Sequence, residues 1–314
     1  MLHVRRRFDA RDHRFAIVSS LGITKHHRVV AAELVGDCVL DPLQLPKEPD
    51  PRRSYLVVVV EGAMHLRRSR ETVDAGSIVF CRSRSWLHDH ERMVALGGYR
   101  AIMLHVDRAL LAPPSKTILS VLSRGALRSA RSLHDALTGA TAPRSLERAH
   151  DELVSALRAG GVPLPEARVL RQRVGVDDRA LSEALGASLS MTAGNPAIVD
   201  VASVLARAER TTRRKLSEVA AEYGLAYPRW QTLRQRWRLA LAALMLTLPD
   251  VTPDDVRREV AFASTATLCH ALRRAGLPSP RAIQRAAADT RSTLSSAPHT
   301  HISADSRRSP ALEP

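Results

Sequence analysis

From residue 8 to about residue 106 the apolar positions fall in short or alternating runs: 15–19, 29–34, 55–60, 78–81 and 101–106. Clusters of Gly, Pro and Asp separate them, and short strands at this spacing predict an antiparallel barrel or sandwich. Glu61-Gly62 and Asp74-Ala75-Gly76-Ser77 mark reversals, because Gly supplies the positive φ that such turns need. Pro113-Pro114 closes the region, since a proline cannot donate to a continuing ladder and pushes the residue before it out of the α basin.

Beyond those prolines the period changes from two to between three and four. Helices are predicted over 115–131, 143–159 and 177–187, with Leu146, Ala149, Leu153, Ala156 and Leu157 forming one apolar stripe. Gly160-Gly161 with Pro163 and Pro165 interrupts the series. Such helices either connect two domains or meet a second copy of the chain. The last stretch, 289–314, is rich in Ser, Thr and Pro with few large apolar residues, and is expected to be disordered.

Within the helical half two stretches, 196–224 and 252–276, repeat one plan: a short helix, a tight turn and a basic second helix. In the first, Asn195 is expected to cap a helix that has Pro196 at its first position. Ile198, Val201, Val204 and Leu205 form its inward stripe, and the chain turns near residues 207–209. Arg210, Thr211, Arg213, Arg214 and Lys215 then crowd the opening turns of the second helix, where a reading helix presents side chains to base edges and phosphates. In the second stretch, Phe262-Ala263-Ser264 makes the turn, and a helix over 265–275 buries Leu268 and Leu272. Ser264, Thr265, Thr267, His270, Arg273 and Arg274 lie on its outward side. Trp230, Leu233, Trp237, Ala240, Leu241 and Leu244 recur at helical spacing between the two, which predicts a stiff spacer of about 20 residues, or about 30 Å. A basic run is often no more than a solvated face; its repetition in a second unit favours docking in neighbouring DNA grooves.

Charge sharpens that picture. The 314 residues carry a formal +15, which points to a polyanionic partner. Residues 195–288 hold 15 Arg/Lys against 8 Asp/Glu, so about half the excess sits in the repeated region. Length favours two domains over one. Cys38, Cys81 and Cys269 are too far apart in sequence for a metal or redox pair and are expected to be reduced core thiols. The first dozen residues lack the apolar core of a secretory signal, and no apolar run approaches the roughly 20 residues of a membrane span, so a cytoplasmic protein is expected.

Residues 196–285 resemble the two-motif DNA-binding domain of AraC-type transcriptional regulators. The second motif of that family runs Ile-Ala, three residues, Gly-Phe, a polar turn, Phe, three residues, Phe, then a Gly-x-Ser-Pro ending. This chain keeps the spacing with Val256-Arg257, Ala261-Phe262, Ser264, Leu268, Leu272 and Pro280. Arg236, Ala240 and Leu244 match the spacer-helix pattern, and Arg210, Arg214 and Leu216 match the first reading helix. Arg257 stands in place of Ala and Ala261 in place of Gly, two Phe are Leu, and Gly224 comes about three residues late. Ala261 therefore predicts a tighter or shifted second turn.

More weakly, residues 55–90 resemble the cupin-like sensor domain of many such regulators. The resemblance implies an α+β chain: a cupin-like antiparallel β-barrel or sandwich over 1–112, a helical connector over 113–194, and an all-α double helix-turn-helix domain over 195–288. It implies duplex DNA as partner and no cofactor, and leaves room for a small-molecule effector, RNA polymerase and a second copy of the chain.

His88-Asp89-His90 has the His-x-His form that metal-binding cupins use, yet the earlier strand supplies no matching pair, and a surface loop without metal is expected. Trp86 beside it suits either a pocket wall or the core. No Gly-x-Ser-x-Gly elbow and no glycine-rich phosphate loop occurs, so no enzymatic activity is expected. The alternative is a cupin-type enzyme or small-ligand-binding protein whose helical half is an interaction domain.

Overall fold

The computed structural model describes residues 1–40, 53–66, 71–81, 93–96, 98–110, 119–139, 143–170, 172–225, 228–296 and 300–302. The first part of the chain, joined by one strand from residues 300–302, forms two sheets. One has seven strands in the order β1 (Leu2–Ala10), β2 (Phe15–Ile23), β3 (His27–Val35), β10 (Tyr99–Asp107), β5 (Arg53–Glu61), β8 (Ser77–Cys81) and β11 (Leu119–Val121), all antiparallel. The other runs β12 (Thr300–Ile302), β7 (Glu71–Asp74), β6 (Ala63–Leu66), β9 (Met93–Leu96) and β4 (Val39–Leu40), antiparallel except where β12 joins β7. The expected reversals are present: Gly62 and Gly76 take φ of +76° and +88°. A side chain at Gly62 would also lie 2.8 Å from the Gly98 carbonyl oxygen.

Alternate residues of β5 serve two cores. Tyr55, Val57 and Val59 face the second sheet's Met64, Leu66 and Val73, whereas Leu56, Val58 and Val60 belong to the outer face. A strand buried on both sides needs an unbroken apolar run, which is why Tyr-Leu-Val-Val-Val-Val shows no alternation.

That outer face is covered by α1 (Arg124–Thr138) and α2 (Pro143–Ala159). Leu133 and Leu137 of α1, with Leu146, Leu153 and Leu157 of α2, pack on Ile102, Leu104 and Phe80. Burial of each such leucine stabilises the layer by about 2 kcal/mol. The stripe expected to connect domains or meet a second copy is thus spent on the sheet. His27 and His150 seal the same interface, their Nε2 atoms 2.8 Å apart. The helix predicted over 115–131 is corrected within the described residues: Leu119–Val121 form β11, and α1 starts only after Ser123, whose Oγ accepts from the Ala126 amide at 3.2 Å.

After the short α3 (Ala167–Leu170), the helical half comprises α4 (Val176–Ser190), α5 (Ile198–Val204), α6 (Glu209–Glu222), α7 (Trp230–Met245), α8 (Pro253–Glu259), α9 (Thr265–Arg274) and α10 (Pro280–Ser296). The last of these corrects the disordered stretch expected from residue 289, since helix continues to Ser296. One contiguous apolar cluster runs from Leu2 and Val4 of β1 through Leu181, Leu185 and Leu189 of α4 to Val201, Leu216 and Trp237. β1 and α4 approach so closely that a methyl on Gly186 would sit 2.4 Å from the Arg5 carbonyl oxygen. Arg6 of the same strand stacks its guanidinium 4.4 Å above the Trp237 ring.

Candidate nucleic-acid interface

Two helix pairs, α5–α6 and α8–α9, are built alike down to their hydrogen bonds. At the end of α5 the Ala206 amide donates to Ser203 and the Arg207 amide to Ala202; at the end of α8 the Ala261 amide donates to Arg258 and the Phe262 amide to Arg257. These reach-backs satisfy the last carbonyls of a short helix, and they require a left-handed residue. Ala206 and Ala261 supply it with φ of +49° and +55°. Ala261 thus takes the left-handed conformation that glycine adopts most readily, and the second turn reaches back as the first does but runs one residue longer before its second helix begins.

The start of each pair is also shared. The Asp200 carboxylate accepts from the Ala197 amide at 2.5 Å, and that of Asp255 accepts from the Thr252 amide at 3.0 Å. Thr252 returns the contact, its hydroxyl oxygen accepting from the Asp255 amide at 3.2 Å, which Ala197 has no atom to do. The Thr252 hydroxyl, followed by its backbone amide, holds the Asp255 carboxyl below its ordinary range. The expected capping by Asn195 is corrected: α5 begins at Ile198, and Asn195 takes φ of +47°, a conformation asparagine tolerates.

Both second helices present an open face. On α6, Thr212, Leu216 and Val219 point inward, leaving Arg210, Thr211, Arg213 and Arg214 exposed. Arg213 pairs with Glu209, and Arg214 lies 3.6 Å from Glu218; solvated pairs of this kind are weak and give way to a stronger anion. Lys215 differs from its neighbours. Half-buried, its Nζ lies 2.5 Å from Asp178 of α4, and that contact raises its pKa. It braces α6 rather than facing outward. On α9, Leu268 and Leu272 are buried, while Thr267, His270, Arg273 and Arg274 are exposed. Ser264 caps this helix, its Oγ accepting from the Thr267 amide at 3.1 Å, and Thr265 Oγ1 reaches Asp254 at 3.4 Å. Cys269 is only partly buried, unlike Cys38, whose thiol burial pushes up to about 11.

The far end of α6 is tied to the rest of the protein. Arg28 of β3 donates to the Gly224 carbonyl at 2.5 Å, and Lys25 and Gln172 reach Glu222 at 3.6 and 3.1 Å. Cations at a helix C-terminus are stabilised there by the helix dipole. The opening turns of α6, which hold Arg210 and Arg214, stay clear of this attachment.

A residue the sequence reading passed over holds the second pair. Arg238 of α7 is buried, donating from Nε to the Val260 carbonyl at 2.6 Å, from Nη1 to Asn195 Oδ1 at 3.1 Å and from Nη2 to the Ala261 carbonyl, with its guanidinium 4.2 Å from the Phe262 ring. Burial, with Arg234 alongside, lowers its pKa to about 10, so it remains charged at neutral pH. Arg238 and Ala242 are buried beside Trp237, Leu241 and Leu244 of the expected stripe, whereas Arg236 and Ala240, matched to the spacer pattern, are only partly buried. The helix spans 16 residues, about 24 Å rather than 30 Å.

Trp86 and the His88-Asp89-His90 triplet lie outside the described residues. Among the described residues no group of three or more His, Cys, Asp or Glu is placed to hold a metal ion, and no helix is long and apolar enough to cross a membrane.

The class of protein defined so far is α+β: an antiparallel two-sheet region followed by a helical half that carries two equivalent helix pairs. Solved structures to which the chain is similar include an apo ToxT variant from Vibrio cholerae, at 11% identity, covering 80% of this chain and 94% of that one with a TM-score of 0.31. The AraC-like transcriptional activator CuxR matches at 15% identity over 74% of this chain and 85% of its own, also with a TM-score of 0.31. Unsaturated fatty acid bound wild-type ToxT from Vibrio cholerae matches at 10% identity over 82% and 95%, again at 0.31. No protein-family model matches the chain, and none of the curated proteins does.

Proposed function

We propose that the chain is a sequence-specific, duplex-DNA-binding transcriptional regulator of the AraC type, which reads DNA with two helix-turn-helix motifs, α5–α6 and α8–α9. The observation that carries this reading is the equivalence of the two pairs: matched turns through Ala206 and Ala261, matched starts at Asp200 and Asp255, and an exposed cationic helix in each. A solvated basic face has no need of a second copy built on the same hydrogen bonds. Arg210, Thr211, Arg213 and Arg214 on α6, with Thr267, His270, Arg273 and Arg274 on α9, are the residues proposed to meet DNA. Ser264 and Thr265 orient α9 by capping it, and Lys215 fixes α6 against α4.

The DNA-binding part is proposed to begin at Val176 rather than at residue 195, because Leu181, Leu185 and Leu189 of α4 share one core with α5, α6 and α7. The sheet region, with α1 and α2 as its outer layer, is proposed as the sensor. Contact with RNA polymerase, a small-molecule effector and self-association belong to the same proposal, as does a cytoplasmic site of action. No catalytic group is assigned.

Selection of bound duplexes from a random pool tests the reading. A recurrent motif of two elements on one side of the duplex supports it; recovery of unrelated sequences at equal affinity speaks against it.

A further inference from the structure

Alignment of α6 with α9 by their buried positions exposes an asymmetry. Thr212 and Leu216 of α6 occupy the inward places that Leu268 and Leu272 occupy in α9. The outward stripe two residues before each of these then reads Arg210 and Arg214 on α6, but Ala266 and His270 on α9. Thr211 and Thr267 are equivalent and both exposed, whereas Ser217 and Glu218 correspond to Arg273 and Arg274.

Accepting that these helices read duplex DNA, we infer that they read different bases: α6 a guanine-bearing element, α9 a thymine-bearing one. Each of two guanidiniums one helical turn apart can fork onto the paired O6 and N7 acceptors of a guanine in the major groove. Neither outermost position of α9 offers a guanidinium. The methyl group of Ala266 and that of Thr267 beside it suit the C5-methyl of thymine, and an imidazole at His270 adds one polar contact without a fork. The cations of α9 sit in its last turn instead, at Arg273 and Arg274, which have no acidic partner among the described residues. Placed there they hold phosphates and leave the base-facing stripe uncharged. On α6 the matching turn carries Glu218, which a phosphate would repel, so its affinity concentrates in the opening turns.

The test is random-pool selection with the full chain and two variants, each checked for unaltered thermal melting, since all substituted side chains are exposed. The wild type is expected to enrich two elements, one holding conserved guanine and the other conserved thymine. Arg214→Ala should lose guanine preference in one element only, with roughly 5- to 150-fold lower affinity for the original site. The double substitution Ala266→Arg, His270→Arg should bring guanine into the thymine-bearing element. Enrichment of two elements of the same kind, or a double variant whose second element is unchanged, overturns the inference while leaving the DNA-reading function intact. Failure to enrich any motif overturns both.

Discussion

The two helix pairs share a plan and differ in what holds it. The second is held locally: Thr252 and Asp255 close its first turn, Arg257 and Arg258 pair with Asp254 and Asp255 within the same helix, and Arg238 braces its turn from beneath. The first is held from a distance. Its opening lacks a side-chain cap, its turn is tied through Arg207 to Asp177 at 2.6 Å, and its second helix is fastened to α4 by Lys215 and to β3 by Arg28. One plan is therefore made rigid in two ways: the second pair by its own residues together with Arg238 of α7, and the first by contacts to α4 and β3.

The strongest way to break this comparison is to remove equivalent core residues. Leu216→Ala and Leu272→Ala should each cost about 3 kcal/mol, measured as a shift in urea unfolding, because both side chains are buried in one cluster. Unequal costs, with one near zero, would show that the helices are not packed equivalently. Next comes Arg238→Met, expected to cost about 2–3 kcal/mol by stranding the Val260 and Ala261 carbonyls. The same variant should weaken α9-dependent DNA contacts while leaving those of α6, a pattern that footprinting of the two elements reads directly.

Capping gives a smaller and reciprocal effect. Thr252→Ala should destabilise by about 1 kcal/mol, and Ala197→Thr should stabilise by up to about 1 kcal/mol, since each moves one pair toward the other's design. The first of these depends on pH. Asp255 has a lowered folded-state pKa, so its contribution is full above the unfolded Asp value of about 3.9 and is lost as pH falls through the lower folded value. The deficit of Thr252→Ala should thus be present near neutrality and shrink in the acid limb, as urea midpoints at about pH 6 and about pH 3 would show. Smallest are Ala206→Gly and Ala261→Gly, each expected to stabilise by about 0.5–1 kcal/mol by relieving a left-handed alanine, read as a rise in melting temperature.

Much of the frame was legible from periodicity. Five of the strands, the turns at Gly62 and Gly76, and the helices around Leu153, Leu216 and Leu268 follow from spacing alone, because burial of one face leaves a mark at two or 3.6 residues. β1 was missed although Leu2, Val4, Phe8 and Ala10 alternate, since three consecutive arginines hide the pattern and Arg6 uses its inward place to stack on Trp237. Arg238 was missed for a related reason: a buried arginine looks like a surface one until its acceptors are known, and these lie on residues distant in sequence. Lys215 was grouped with the outward cations because nothing local reveals Asp178. Ala261 seemed an obstacle to the turn, yet the reach-back hydrogen bonds and Arg238 outweigh the roughly 1–2 kcal/mol of a left-handed alanine.

Where Gly186 meets Arg5, backbone lies against backbone with no space for one added carbon. That seam makes the helical half a poor cassette. Transplanted without the strand beneath it, α4 would show water the leucines it now hides, and the arginine that stacks on Trp237 would be left behind. Hybrids that graft this C-terminal half onto another sheet domain must carry residues 1–10 with it.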